Sequence, residues 1–150
     1  ESLKVHEREA KAQKAGRAAS ILDDVARALP ALARADKLAK RAAKVGFDWP
    51  DAASVTEKVR EELSEVEAAE GKDAVAEEVG DLLFAAANLA RKLGVDPEAA
   101  LSDANLKFER RFRHVEARLA AENMTLAEAG LERMERHWNE VRAADKAGGA

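Results

Sequence analysis

The chain has 150 residues, of which 47% are hydrophobic and 36% are charged, and its formal net charge is −4. This length and apolar content suffice for one buried core, and the mixed charge excludes a general affinity for nucleic-acid backbones. The absence of cysteine excludes disulfides and thiolate metal sites. The sequence contains no long apolar run that would predict export or a membrane span. We therefore expect a cytoplasmic protein that binds neither membranes nor nucleic-acid polymers.

Composition divides the chain into a charged start, a patterned middle and a short tail. Residues 1–18 are polar and charge-dense, and we expect a linker or a weakly ordered segment there. Residues 19–145 carry the helical pattern and form the predicted domain, whereas residues 146–150 are expected to be a disordered tail. Because the first residue is Glu1 rather than methionine, we expect the sequence to be a piece of a longer protein.

Strong helix formers dominate the composition, and no strand-like segment competes with the helical pattern. A capping-box pair, Ser54 and Glu57, predicts the start of the third helix, and Thr125 with Glu128 predicts the start of the last. Glycine or proline marks most of the other boundaries. The predicted helices cover 20–29, 31–45, 54–70, 73–93, 96–122 and 125–144.

Two pairs of carboxylates lie one helical turn apart in the two central predicted helices: Glu62 with Glu65, and Glu78 with Asp81. Residues three apart share a helix face, so a hairpin of these helices can direct all four carboxylates to one point. Glu78 also falls within an apolar stripe expected to face the core. That stripe comprises Val75, Val79, Leu82, Ala86, Leu89 and Leu93. A carboxylate in such a stripe is costly to desolvate without a cation, which favours a metal site.

The chemistry of these ligands points to a hard divalent cation. All-oxygen ligation suits Mg²⁺, with Mn²⁺ as a substitute, and is a poor match for zinc. A di-iron carboxylate centre would need Glu-x-x-His pairs, which the sequence lacks. We expect all three histidines, His6, His114 and His137, at the surface. The alternative for Glu62 and Glu65 is a solvated acidic face, which is common in a chain this charged.

The long helix after Pro97 carries cations along one flank of its apolar face. Lys107 and Arg111 lie on this flank and can neutralise phosphate oxygens beside a metal site. The alternative is a solvated flank of ion pairs with neighbouring glutamates. Trp138, on the last helix, can stack on a base or pack in the core, and for Trp49 we expect packing.

Several motifs between Ile21 and Arg142 occur together at a characteristic spacing. They are Ala28-Leu29-Pro30-Ala31-Leu32, Lys44-Val45-Gly46-Phe47-Asp48-Trp49-Pro50, the Glu-Glu-x-x-Glu of Glu61, Glu62 and Glu65, the Glu-x-x-Asp of Glu78 and Asp81, and Asn105-x-Lys107-Phe108-x-Arg110-Arg111-Phe112. With these motifs the chain closely resembles the MazG-type nucleoside triphosphate pyrophosphohydrolases, specifically their C-terminal catalytic domain.

The resemblance implies an all-α fold similar to a four-helix bundle, and a homodimer. It also implies Mg²⁺-dependent hydrolysis of NTPs and dNTPs between the α and β phosphates, with broad base specificity. The products would be a nucleoside monophosphate and pyrophosphate.

The resemblance also implies a role for each candidate residue. The implied Mg²⁺ ligands are Glu62, Glu65, Glu78 and Asp81. Glu61 and Glu62 are the implied catalytic residues, with Glu61 assisting as a ligand or as a base that orients water. Lys107 and Arg111 would contact phosphates, and Trp138 would lie near the base.

Two alternative functions are also consistent with the sequence. The chain can be a non-catalytic helical interaction module whose acidic residues are surface charge. It can also be a pyrophosphatase restricted to one nucleotide, similar to a dUTPase or dCTPase, because periodicity does not define a base pocket. A P-loop enzyme is excluded, since no Gly-rich phosphate-binding motif is present.

Overall fold

The computed structural model describes residues 2–149, which form six α-helices and, within that range, no β-strand. The helices are α1 (Ser2–Ala15), α2 (Ala31–Ala43), α3 (Ala52–Ala68), α4 (Lys72–Lys92), α5 (Pro97–Ala121) and α6 (Leu126–Gly148). The expected all-α fold is confirmed. The chain separates into two compact units, the first ending at Ala100 and the second beginning at Leu101. None of the helices among the described residues combines the length and apolarity that crossing a membrane requires.

Between residues 2 and 30, a helix forms where the sequence predicts a linker, and no helix forms where the sequence predicts one. Helix α1 occupies most of the predicted linker, and its Ala12 is buried. The division into linker and domain stays a prediction. The predicted helix over 20–29 is wrong, because this segment forms successive turns. Asp23 Oδ2 accepts from the backbone N–H of Ser20 at 2.7 Å, and Ser20 Oγ accepts from that of Leu22 at 3.2 Å, so local side chains compete with helical hydrogen bonds.

The other predicted helices are confirmed, with shifted ends. Helix α3 begins at Ala52 rather than Ser54, because Asp51 is its N-cap and Asp51 Oδ1 accepts from the Ser54 N–H at 2.7 Å. No side chain next to the start of α2 caps its N-terminus. Glu98 Oε2 accepts from the Ala33 N–H at 3.3 Å instead. Such long-range capping is not visible in the local sequence.

Helices α3 and α4 form the predicted hairpin, and α2 also packs on α4. Gly71, with φ of +88°, forms the turn between α3 and α4, in a left-handed conformation that other residues rarely adopt. Val55 of α3 is completely buried. The hairpin fixes the face that α3 presents to α4, and therefore the positions of the acidic residues on both helices.

The apolar stripe predicted on α4 is covered only in part. Val75 and Val79 are each 37% exposed and Leu93 is 61% exposed, whereas the buried residues of α4 are Ala85, Ala87 and Asn88. The prediction that the whole stripe faces a core is wrong for this chain by itself. Periodicity gives the width of an apolar face but not the number of neighbours that cover it. Leu83 and Phe84 of the same helix are also exposed.

The loop between α2 and α3 is fixed to the end of α4 by ion pairs. Asp48 pairs with Arg91 and, at 3.3 Å, with Lys92. Arg91 Nε also donates to the buried Asn88 Oδ1 at 2.8 Å, and Lys92 Nζ donates to the Trp49 carbonyl at 2.7 Å. Hydrogen bonding to Arg91 holds the pKa of Asp48 well below its usual value. This network gives the buried side chain of Asn88 a hydrogen-bond partner.

We expect Asp48→Asn to lower the free energy of unfolding by about 1–2 kcal/mol, because it removes a charge that two cations share. Urea denaturation at neutral pH measures this loss, and Glu67→Gln, an exposed change on α3, should have little effect. The lowered pKa means that Asp48 stabilises the fold above the ordinary pKa of Asp, and that this stabilisation is lost as pH falls through the folded-state pKa. The difference between wild type and variant should therefore shrink in acid; a difference that persists unchanged would contradict the assignment.

The second unit consists of α5 from Leu101 onward together with α6, and these two segments form a hairpin. Its buried apolar residues are Val115, Leu119 and Val141. Thr125 Oγ1 accepts from the Glu128 N–H at 3.2 Å, as the sequence predicts. Gly130, with φ of +72°, then kinks α6. The helix continues past its predicted end to Gly148, through the start of the predicted tail, whereas Ala150 lies outside the described residues.

His137 corrects the expectation that the histidines lie at the surface. It is only 4% exposed, with Nδ1 3.1 Å from Glu140 Oε1 and Nε2 2.9 Å from Glu122 Oε1. His6 is exposed and His114 is half-buried. The imidazole ring of His137 fills space in the core while its nitrogens face carboxylates. The presence of a histidine in the sequence does not by itself predict this combination.

Candidate metal centre

Three carboxylates from α3 and α4 converge at one point. One oxygen atom from each of Glu62, Glu78 and Asp81 lies within 4.8 Å of the others. Glu78 and Asp81 share a face of α4 because they are three residues apart, and the hairpin places Glu62 of α3 opposite them. Three acidic side chains from two rigid helices thus form one compact group of oxygen ligands.

The three carboxylates differ in exposure. Glu62 is buried, Glu78 is half-buried and Asp81 is exposed. Burial raises the pKa of Glu78, and repulsion from Glu65, Asp81 and Glu62 raises it further. A raised pKa means that the ionised form of Glu78 is disfavoured by its surroundings. A divalent cation bound between these oxygens would reverse that effect, because it would replace repulsion with attraction.

Lys58 also lies at this site, although it was not among the residues predicted from the sequence. Its Nζ lies 2.6 Å from Glu62 Oε1 and 3.1 Å from Glu61 Oε1. The hydrogen bonds to Glu62 and Glu61 raise the pKa of Lys58, so it remains a cation. A signal was available, because Lys58 precedes Glu62 by four residues and therefore lies on the same helix face. It supplies positive charge at the edge of the acidic group.

The remaining acidic candidates lie around this group rather than within it. Glu65 is exposed and is not one of the three converging carboxylates, although its charge is close enough to raise the pKa of Glu78. Glu61 is exposed as well, and its carboxylate pairs with Lys58. Both residues lie within one helical turn of Glu62 on α3, and both are exposed beside the cluster.

The predicted phosphate and base contacts belong to the second unit. Arg111 Cζ lies 5.8 Å from the centroid of the Trp138 ring, and Arg111 Nε donates to Asp145 Oδ2 at 2.9 Å. The Trp138 ring also packs against Phe108, with the ring centroids 5.4 Å apart. Lys107 is exposed. Arg111 and Trp138 thus form an aromatic and cationic surface that is preorganised within its own unit.

Comparison with known proteins identifies the family of this chain. It is 48% identical, over 95% of its length, to the nucleoside triphosphate pyrophosphohydrolase of Escherichia coli strain K12. It is 38% identical, over 91% of its length, to the nucleoside triphosphate pyrophosphohydrolase/pyrophosphatase MazG of Thermotoga maritima. The chain belongs to the MazG family. This MazG chain spans about half of each relative's length, 54% in both cases.

A second match places the acidic group of this MazG chain within a shared sequence region. The profile of the phosphoribosyl-ATP pyrophosphohydrolase family matches residues 37–108. That range includes Glu62, Glu78 and Asp81, together with Lys107, but it ends before Arg111. The converging carboxylates therefore lie in the region that is similar to a second group of pyrophosphohydrolases.

Proposed function

We propose that this MazG domain hydrolyses NTPs and dNTPs between the α and β phosphates, with Mg²⁺ as cofactor and Mn²⁺ as a substitute. The convergence of Glu62, Glu78 and Asp81 within 4.8 Å is the observation that carries the proposal. The names of the relatives from E. coli and T. maritima describe the same class of activity. Broad base specificity, which the family resemblance implies, and a cytoplasmic location, which the sequence predicts, are part of the proposal.

The donor set fits Mg²⁺ in its chemistry. Carboxylate oxygens from rigid helices are the ligands that Mg²⁺ takes in nucleotide-hydrolysing sites, where substrate phosphates and water complete the coordination. Glu62, Glu78 and Asp81 would hold the ion, and Glu65 would join them by a side-chain rotation from its exposed position. When bound, Mg²⁺ withdraws charge from phosphate oxygens and makes the phosphorus more electrophilic.

The chain's own residues supply the other requirements of phosphoryl transfer. Glu61 lies at the exposed edge of the group, where its carboxylate can orient the attacking water and accept its proton. Lys58 can exchange its contact with Glu62 for a phosphate oxygen once a metal neutralises that carboxylate. No covalent intermediate is needed, because water is the nucleophile throughout.

The substrate-binding roles that the family resemblance gives to Lys107, Arg111 and Trp138 are also part of the proposal. Arg111 would exchange its contact with Asp145 for a phosphate, and Lys107 would add a second positive charge. Trp138 would contact the base through the part of its ring that Phe108 and Arg111 leave uncovered. Stacking on a tryptophan face tolerates any base, which supports broad specificity rather than a pocket for one nucleotide.

We also propose that the domain functions as a homodimer. Large apolar residues remain exposed on α3 and α4, namely Leu63, Val79, Leu83 and Phe84. Large apolar residues that stay exposed on neighbouring helices often mark a protein–protein interface. Size-exclusion chromatography with light scattering gives the mass directly, and Phe84→Glu should shift a dimer towards the monomer.

Product analysis is the experiment that tests the proposed reaction. The chain is incubated with a panel of NTPs, dNTPs and phosphoribosyl-ATP, with Mg²⁺ or with EDTA, and the products are separated by anion exchange. We expect monophosphate and pyrophosphate only with Mg²⁺, at comparable rates across the bases. Turnover of a single nucleotide would support the restricted pyrophosphatase instead. A diphosphate product would refute cleavage between the α and β phosphates, and no turnover by folded, dimeric chain would favour the interaction module.

A further inference from the structure

We propose that the first unit has a second anion site, separate from the metal centre, that binds a small polyphosphate group. The site is a basic groove formed by α1, α2 and the end of α4. This inference is independent of the proposed hydrolysis, because none of its residues has a role in that reaction. Its ligand class is an inorganic pyrophosphate or triphosphate, or the phosphate chain of a nucleotide.

Cations from three helices face the groove. One hollow of about 510 Å³ is lined by Lys37, Lys40, Arg41, Lys44 and Arg91, with Asp24 as the only carboxylate among its lining residues. An adjoining hollow of about 500 Å³ shares Arg41 and Lys44, adds Lys4 and Arg8 of α1, and has no carboxylate in its lining. This concentration of positive charge occurs in a chain whose net charge is −4.

The ion pairs of the groove leave several of its cations uncompensated. Asp24 is shared by Arg41, at 2.7 Å, and Arg8, at 3.4 Å, so this trio has a net positive charge. Lys40 pairs with Asp36, and Arg91 with Asp48. Within residues 2–149, the exposed amines of Lys4, Lys37 and Lys44 make no ion pair. Three free amines and one surplus guanidinium match the several charges of a polyphosphate.

A simpler explanation accounts for only part of this arrangement. Cations in the last turn of a helix are favoured by its dipole, which explains Lys40, Arg41 and Lys44 at the end of α2. It does not explain why Lys4 and Arg8 of α1 line the same groove. These basic residues are confined to this groove, which favours a compact anion over a nucleic-acid polymer, since a polymer needs an extended basic stripe.

The groove is distant from the carboxylates. Arg91 and Asp81 both lie on α4, ten residues apart, which corresponds to about 15 Å along the helix. The groove also includes Lys44, the first residue of the motif Lys44-Val45-Gly46-Phe47-Asp48-Trp49-Pro50, whose other charged residue, Asp48, anchors the loop to Arg91.

Calorimetric titration with pyrophosphate in EDTA tests the site without turnover or metal binding. We expect saturable binding by the wild-type chain, weakened at least about tenfold in the Lys37→Gln/Lys44→Gln variant. The matched control, Lys72→Gln/Lys146→Gln, removes the same charge from exposed positions and should bind like the wild type. Added salt should weaken the wild-type affinity, because the contacts are exposed charges.

Parallel measurements separate this site from the metal centre. Thermal melting should show both double variants folded, since Lys37 and Lys44 are exposed and make no ion pair in the described chain. Titration with ATP in EDTA distinguishes the possible ligands. If the Lys37→Gln/Lys44→Gln variant loses affinity for both pyrophosphate and ATP, the site binds any polyphosphate chain. If the variant loses affinity for pyrophosphate alone, the site binds the free anion. Equal pyrophosphate affinity in the two double variants, or no saturable binding by wild type, would overturn the site whatever the hydrolysis assay shows.

Discussion

Glu62→Gln is expected to lower kcat/KM for nucleoside triphosphate hydrolysis by about 10²–10³-fold. The substitution keeps the shape of the side chain and removes the charge of the most buried of the three converging carboxylates. It also removes the charged partner of Lys58, whose amine would then lie next to a neutral amide. Both changes weaken the electrostatic balance on which metal-assisted phosphoryl transfer depends. Steady-state pyrophosphate release with Mg²⁺ measures the effect.

A matched control separates this effect from a general loss of negative charge. Glu67 lies on the same helix, is exposed and is not one of the converging carboxylates. Glu67→Gln should therefore retain nearly the wild-type kcat/KM. Circular dichroism should show that both variants keep the helical content of the wild type. If Glu62→Gln were as active as Glu67→Gln, the carboxylates of α3 and α4 would not form the catalytic metal centre.

The acidic group was predictable because it depends on local rules. The spacing of Glu78 and Asp81 places them on one helix face, and the short turn at Gly71 ensures that α3 folds back on α4. These two features require no knowledge of distant contacts. The position of Glu65 was harder to predict, since a residue three positions from Glu62 can face the partner helix or solvent, depending on the rotation of α3.

Features that depend on distant partners were not predictable from the sequence. Glu98 caps α2 from 65 residues away, and Asp48 reaches Arg91 across 43 residues. The burial of His137 is possible because carboxylates from two parts of the second unit face its ring nitrogens. The incomplete burial of the apolar stripe on α4 was unpredictable for the same reason, because the pattern of a helix does not show which neighbour covers it. In each case the sequence shows the residue but not its partner.

We expect Mg²⁺ to raise the melting temperature of the chain, and Glu78→Gln to abolish most of that gain. A ligand that binds only the folded state at 100 times its Kd adds about 2.7 kcal/mol of stability. For a chain of this size, that corresponds to a rise of about 5–10 °C. Differential scanning calorimetry with Mg²⁺ and with EDTA measures the gain for wild type, for Glu78→Gln and for Glu77→Gln, the adjacent exposed residue on α4.

Without metal, Glu78→Gln is expected to change the melting temperature in the opposite direction. Because burial and repulsion raise the pKa of Glu78, its ionised form destabilises the metal-free fold, and this destabilisation develops as pH rises through the raised pKa. Glutamine imitates the protonated form, so Glu78→Gln should melt higher than wild type in EDTA at neutral pH and lower in Mg²⁺. Glu77→Gln should keep the full Mg²⁺ response. An unchanged Mg²⁺ response in Glu78→Gln would remove Glu78 from the metal centre, since no merely solvated carboxylate reverses the order of stability when a cation is added.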